Sequence, residues 1–216
     1  MVSDSRMNRT DVSRSVLVRR ARKLELLTIG WNSLEAIVAV GAGLLARSVA
    51  LLGFGFDSVI ELASCIALMW RLSLDADAER RERIEAKTLK IVGMTFLALA
   101  GYVAIDAIKS LLTHDIAATS YSGIALASLS LIVMPLLARA KRRIAARIRS
   151  AALHADSRQT DICAYLSAIL LGGLLLNTAF GWWWADPIAA LVMTPIIVRE
   201  GIEALRGETC CDDESH

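Results

Sequence analysis

Residues 49–74 read VALLGFGFDSVIELASCIALMWRLSL, an almost unbroken run of apolar side chains. A helix needs about 20 mostly apolar residues to cross a lipid bilayer, and this run is longer than that. Its two acidic residues, Asp57 and Glu61, lie well away from both ends of the run. The run therefore predicts a membrane-spanning helix that carries two carboxyl groups at membrane depth.

Five further apolar segments accompany this one along the chain. Of the 216 residues, 55% are hydrophobic and 21% are charged, whereas soluble domains average about 45–50% apolar and about 25% charged residues. The predicted spans are residues 24–46, 49–74, 88–113, 118–138, 148–179 and 183–202. We therefore predict an all-α membrane protein, a six-helix transmembrane domain at 24–207 between a basic tail at 1–23 and a short tail at 208–216.

The basic residues predict the orientation of these spans. Seven Lys and Arg residues precede residue 24, six lie within 71–90 and six within 139–149, whereas 114–118 and 178–186 contain none. Because positive charge stays on the cytoplasmic side, both termini are predicted in the cytoplasm, with the chain in a bacterial inner membrane. The basic tail is interpreted as this kind of anchor and not as a nucleic-acid-binding arm, so no nucleic-acid partner is expected.

Asp57 and Glu61 are four residues apart and therefore lie on one face of the helix, one turn from each other. An ionisable side chain at membrane depth costs about 2.5–3.5 kcal/mol on insertion scales and marks a functional site by default. Two ionised carboxylates at this spacing repel, and a divalent cation or protons would neutralise them. The alternative is that Asp57 caps a helix start, but Glu61 lies deeper among apolar neighbours.

The fifth predicted span begins with a polar stretch, HADSRQTDICAYLS at residues 154–167. Gln159 and Cys163 are again four apart and share one face. A Cys thiolate suits zinc and other soft or borderline metals, whereas Gln offers a neutral carbonyl oxygen. These two residues are therefore candidate metal ligands.

Four other polar residues could support such a site. Asp156 and Asp161 lie on different faces of the fifth helix, and each could pair with Arg158 or with another helix. Asn32 and Glu35 on the first span could support the site or make packing hydrogen bonds, since polar side chains join helices in membranes. The sequence leaves these alternatives open.

Two further features concern the ends of the sixth helix. Asp186 followed by Pro187 is a common arrangement at a helix start, so Asp186 is expected to cap the sixth helix. Beyond that helix, Cys210 and Cys211 could bind a soft metal loosely, although a plain flexible tail is the stronger interpretation because chain ends are commonly disordered.

Three stretches resemble the cation diffusion facilitators. They are GFGFDSVIELAS in the second span, AALHADSRQTDICAYLSAILLGGLLLN in the fifth and WWWADPIAALVMTPIIVREGIEALRG in the sixth, and the resemblance covers about 24–207. It implies a six-span exporter of zinc or related divalent metals that acts as a homodimer and as an antiporter, exchanging metal for protons. The cytoplasmic domain that usually follows the sixth helix is expected to be absent.

The resemblance also implies a set of metal ligands. The family uses two acidic or histidine residues four apart on the second helix, which Asp57 and Glu61 match, and a His-x-x-x-Asp pair on the fifth. Gln159 and Cys163 stand at those last two positions, so the implied site is Asp57, Glu61, Gln159 and Cys163. Zinc is the expected ion, with manganese, iron, cadmium and cobalt as alternatives, and no organic cofactor is expected.

These departures on the fifth helix keep a second interpretation open. A transporter fold with a decayed metal site would serve as a membrane scaffold or regulatory subunit.

The sequence has neither an HExxH motif nor a phosphate-binding P-loop, so an enzyme is not predicted.

Overall fold

The computed structural model describes residues 2–73, 78–148 and 151–206, and these residues form six α-helices. The helices are α1 (Val2–Ala46), α2 (Val49–Ser73), α3 (Ala78–Thr113), α4 (Tyr121–Ile148), α5 (Ala151–Phe180) and α6 (Ala185–Arg206). The predicted all-α fold is thereby confirmed. The Cys210-Cys211 tail lies outside the described residues, so its metal-binding alternative stays a prediction.

Five of the six helices, α1 to α5, are long and apolar enough to cross a membrane. At 22 residues, α6 is about 33 Å long at 1.5 Å per residue, so its length suffices. It falls short in composition because Asp186 lies near its start and Arg199 and Glu200 near its end. The chain is an integral membrane protein, and the crossing of α6 stays a prediction.

Helix α2 is the central element of the bundle. It packs against α1, α3, α5 and α6, while α4 packs against α1 and α5 and α3 pairs with α6. Leu51 and Phe54 on α2 are fully buried, as are Met134 on α4 and Leu170 on α5. Any polar group on the inward faces of α2 is therefore surrounded by other helices.

Small residues allow these helices to approach closely, as expected in lipid. A Cβ atom added at Gly55 on α2 would lie 2.9 Å from the Val40 backbone nitrogen of α1. One added at Gly173 on α5 would lie 2.6 Å from Ala189 Cβ of α6. The close packing of α1 against α2 and of α5 against α6 therefore depends on glycine having no side chain at these two positions.

The start of α6 is tied to the start of α2. The buried Asp186 carboxylate accepts hydrogen bonds from the backbone N–H of Val49 at 2.9 Å, from that of Ala50 at 3.5 Å, and from the Ser48 hydroxyl. Asp186 therefore caps α2, and the prediction that it caps its own helix was wrong. The reason is tertiary, since unpaired N–H groups at the start of α2 lie beside this carboxylate.

We predict that Asp186→Asn lowers the stability of the fold. An N-cap side chain contributes about 0.5–2 kcal/mol, and the negative charge adds a favourable interaction with the helix dipole. The expected fall in Tm is about 2–4 °C for each kcal/mol lost, measured by thermal unfolding in detergent. Asp115→Asn is the control, because Asp115 is exposed near the same end of the bundle. Equal Tm values for both variants and the wild type would show that the cap is unimportant.

Candidate metal centre

The two carboxylates of α2 point into the bundle, as their spacing predicts. The exposed fraction is 7% for Asp57 and 1% for Glu61. Three acidic side chains act electrostatically on Asp57: Glu61, Glu200 and Glu35. The surroundings of Asp57 therefore favour a cation or a proton over an unpaired negative charge.

Glu61 is only partly satisfied by hydrogen bonds. Its Oε1 accepts a hydrogen bond from the Thr160 hydroxyl of α5 at 3.3 Å, but within the described part of the chain its Oε2 has no partner. The fully buried Asn32 of α1 faces it, and neither amide atom of Asn32 makes a hydrogen bond to a described residue. Because buried polar groups are nearly always paired, these three atoms are available to bind a further polar species.

Cys163 joins this group from α5. Its side chain is 1% exposed, and its Sγ lies 3.9 Å from Glu35 Oε2. The Cys163 thiol also lies beside Glu61. A soft donor thus lies on the buried side of α5, facing α1 and α2, and its role as a ligand stays a prediction.

Glu35 is held by hydroxyl groups from two neighbouring helices. Its Oε2 accepts a hydrogen bond from Ser58 of α2 at 3.2 Å, and its Oε1 accepts one from Ser130 of α4. Ser130 in turn accepts a hydrogen bond from the Trp31 indole N–H at 3.4 Å. Glu35 therefore makes packing hydrogen bonds and also borders the site. The two roles that the sequence left open for Glu35, packing and support of the site, are thus compatible.

The structure places the other predicted residues differently. Gln159 is half-buried, and its neighbour Thr160 is the residue that contacts Glu61. Asp161 is half-buried and forms an ion pair with Arg142 of α4. Asp156 is buried but bonded to Lys141 of α4. Glu61 and Cys163 are therefore brought together with Asn32 and Glu35. Asp57 is buried one turn from Glu61 on α2, and the remaining three predicted residues have other surroundings.

The ligand atoms of Asp57, Glu61 and Cys163 are not all within 4.8 Å of one another in this structure. The one such group of His, Cys, Asp or Glu among the described residues is Glu25, Cys65 and Asp156. An ion bound by all three side chains would therefore require them to move closer together.

Two buried polar residues near the site, Lys141 and Glu25, were not predicted from the sequence as part of the interior. Lys141 belongs to a basic stretch that also fits a cytoplasmic connection, and Glu25 lies at the start of the first span. A helical stripe could have revealed Lys141, because Ser130, Met134, Ala138, Lys141 and Ala145 follow at intervals of three or four residues and all are buried.

Comparison with known proteins gives a family match over most of the chain. The family described as the cation efflux transmembrane domain matches residues 26–207. An uncharacterized transporter of Synechocystis is 30% identical over 196 residues, covering 87% of this chain and 63% of that protein. A cadmium, cobalt and zinc/H(+)-K(+) antiporter of Bacillus velezensis is 28% identical over 190 residues, covering 82% and 56%.

A Bacillus subtilis protein with the same name as the second relative is 28% identical over 189 residues, covering 82% of this chain and 57% of its own length. The chain thus spans less than two thirds of the length of each of these relatives. The family match itself includes α2 and α5, which carry the candidate ligands. The chain therefore belongs to the cation efflux family, the cation diffusion facilitators.

Proposed function

We propose that this chain carries divalent transition-metal ions across the membrane in exchange for protons. The binding site lies between α2 and α5 and consists of Asp57, Glu61, Gln159 and Cys163. The observation that carries the proposal is the fully buried Glu61, whose Oε2 lacks a hydrogen-bond partner among the described residues beside a second buried carboxylate and a buried thiol. A cation would neutralise the carboxylates and use the unpartnered oxygen.

The donor set favours zinc, cadmium and cobalt. A thiolate is a soft ligand that selects zinc and softer ions, whereas carboxylate oxygen alone suits manganese and magnesium. Two of the relatives are named for cadmium, cobalt and zinc, which supports the same order for this chain. Zinc is the proposed physiological substrate, and manganese and iron rank behind it because Cys163 replaces an oxygen donor.

Proton exchange follows from the chemistry of these ligands. Carboxylates and thiols must lose their protons to bind a metal, so binding releases protons and protons compete with the metal. A bundle that opens alternately to each side would bind metal on the cytoplasmic side and release it where protons are more abundant. Metal efflux and proton entry are then two consequences of the same side chains.

Gln159 is the ligand whose position must change most. It is half-buried, and it stands one residue before Thr160, which contacts Glu61. A modest rotation of the first turns of α5 would bring the Gln159 amide oxygen toward α2. We propose that metal binding and this rotation occur together.

The lipid-facing surface and the assembly belong to the same proposal. Large apolar side chains such as Ile37, Leu45 and Leu112 are 74%, 88% and 77% exposed, as expected for contact with lipid tails. We propose that the chain forms a homodimer in the bacterial inner membrane with both termini in the cytoplasm. The uneven distribution of Lys and Arg supports this orientation.

Metal flux into proteoliposomes tests the proposed site. We expect zinc uptake driven by an imposed pH gradient in the wild type and its loss in Asp57→Asn/Glu61→Gln, which keeps side-chain volume but removes both charges. Asp106→Asn serves as the control, because Asp106 is a half-buried carboxylate on α3 outside the site. Absence of flux in the folded wild type would contradict transport and favour the scaffold interpretation.

A second variant tests the role of α5 in ion choice. Gln159→His/Cys163→Asp restores the His-x-x-x-Asp pattern of the family and removes the thiolate. We expect the preference for cadmium over zinc to fall on the order of tenfold, which corresponds to about 1.4 kcal/mol. The matched variant Gln159→His keeps the thiolate and should keep the preference. Competition of the two ions in the flux assay measures it, and an unchanged ratio in the double variant would remove Cys163 from the site.

A further inference from the structure

A second buried polar cluster lies beyond Glu61, toward the end of the bundle that carries the basic residues. Four helices contribute to it: Glu25 from α1, Cys65 from α2, Lys141 from α4 and Asp156 from α5. The exposed fraction is 0% for the first three and 8% for Asp156. None of these residues belongs to the proposed transport site.

Three members of this cluster have the geometry of a metal-binding group. One ligand atom each from Glu25, Cys65 and Asp156 lies within 4.8 Å of the others. Ligands of a tetrahedral zinc ion stand about 3.3–3.8 Å apart, given bond lengths of about 2.0–2.3 Å. The distance from Cys65 Sγ to Asp156 Oδ1 is 3.7 Å, so one pair already matches. The third ligand needs a shift of at most about 1 Å, because all three atoms lie within 4.8 Å of one another.

An independent observation points to a ligand at this place. Glu25 Oε1 is buried and has no hydrogen-bond partner among the described residues, although its other oxygen is occupied. A buried carboxylate oxygen left without a partner is unfavourable, because it has lost its hydrogen bonds to water. The cluster therefore offers a donor that the protein itself does not use.

The ammonium group of Lys141 lies where a metal ion bound to Glu25 and Asp156 would lie. Its Nζ lies 2.5 Å from Asp156 Oδ2 and 3.4 Å from Glu25 Oε2. The single positive charge of the ammonium group faces two carboxylates. A divalent ion would neutralise both carboxylates and would compete with the ammonium group for the same oxygens.

We propose that Glu25, Cys65 and Asp156 form a second binding site for a soft or borderline divalent cation, which binds when the Lys141 ammonium group leaves the two carboxylates. The thiol of Cys65 supplies the soft donor after loss of its proton to water. Lys141 is long and flexible enough to move, since its four-carbon stem carries the charge at its end.

Thr160 connects this second site to the transport site. Its hydroxyl oxygen accepts a hydrogen bond from Lys141 Nζ at 3.5 Å. Its single proton is shared between Glu61 Oε1 at 3.3 Å and the Asp156 backbone carbonyl at 3.1 Å. An ion at Glu25, Cys65 and Asp156 would thus lie one side chain away from Glu61. The second site rests on the proposed function only for the class of ion. Its test measures binding and not flux, so the second site and the proposed transport function can fail separately.

Cadmium absorption spectroscopy can observe this site alone. The chain has four cysteines, and in the Cys163→Ser/Cys210→Ser/Cys211→Ser background Cys65 is the one that remains. Cadmium bound to a thiolate gives an ultraviolet charge-transfer band, so a band in purified full-length protein reports binding at Cys65. We expect a band that saturates at one ion per chain and vanishes when Cys65→Ser is added.

Charge variants in the same background test the competition with Lys141. We expect Lys141→Met to tighten cadmium binding by about tenfold or more, because the ammonium group no longer competes for the two carboxylates. A tenfold change corresponds to about 1.4 kcal/mol. Arg142→Met is the matched control, because Arg142 is half-exposed and pairs with Asp161 outside the cluster. This variant should leave the affinity unchanged. Glu25→Gln and Asp156→Asn should each weaken binding.

The proposal is overturned if no band forms with either Lys or Met at position 141 while the helical circular dichroism is retained. A band that Glu25→Gln and Asp156→Asn leave unchanged would also overturn it, because cadmium would then bind Cys65 alone. If Lys141→Met does not fold, the decision rests on the variants that keep Lys141. In that case a saturating band lost in Cys65→Ser and weakened in Glu25→Gln supports the site, and any other pattern contradicts it.

Discussion

The burial of two like-charged carboxyl groups on one face of α2 is the constraint on which the rest of the structure depends. Asp57 and Glu61 lie inside the bundle, where a charge without a partner is unfavourable. Such a pair persists in a folded protein when cations, protons or hydrogen-bond donors compensate it. The neighbouring helices supply part of this compensation, and a mobile cation is proposed to supply the remainder.

The polar side chains of the bundle follow from this constraint. Helix α1 contributes a stripe of buried polar residues at helical spacing, Glu25, Thr28, Asn32 and Glu35. Helix α5 contributes Thr160 and Cys163, and α4 contributes Ser130 and Lys141. The result is a polar interior enclosed by apolar surfaces, which is the arrangement expected of a path for ions through a membrane.

The position of α2 is fixed at its other end by a different carboxylate. Asp186 binds the first N–H groups of α2 and the Ser48 hydroxyl, so the start of α6 cannot move far without the start of α2. Gly55 and Gly173 allow the close contacts of α2 with α1 and of α5 with α6. If the chain transports metal as proposed, the site is therefore expected to open nearer the basic end of the bundle than at the end where Asp186 joins α6 to α2.

Much of the fold could be predicted from the sequence because lipid imposes a simple rule on length and polarity. The apolar runs located the helices, and the spacing of Asp57 and Glu61 placed both on one inward face. The spacing on α5 was less decisive, since Gln159 and Thr160 are adjacent and only the packing against α2 decides which faces Glu61. The partners of Asp156, Asp161 and Asp186 lie on other helices, and no local pattern indicates them.

X-ray absorption at the zinc edge tests the central claim, that a metal binds inside the bundle between α2 and α5. The sample is the Cys65→Ser/Cys210→Ser/Cys211→Ser protein with one zinc ion per chain, in which Cys163 is the remaining cysteine. The account predicts one sulfur at about 2.3 Å together with oxygen ligands at about 2.0–2.2 Å, and loss of the sulfur when Cys163→Ser is added. A zinc ion surrounded by oxygen and nitrogen alone in the first protein would contradict it.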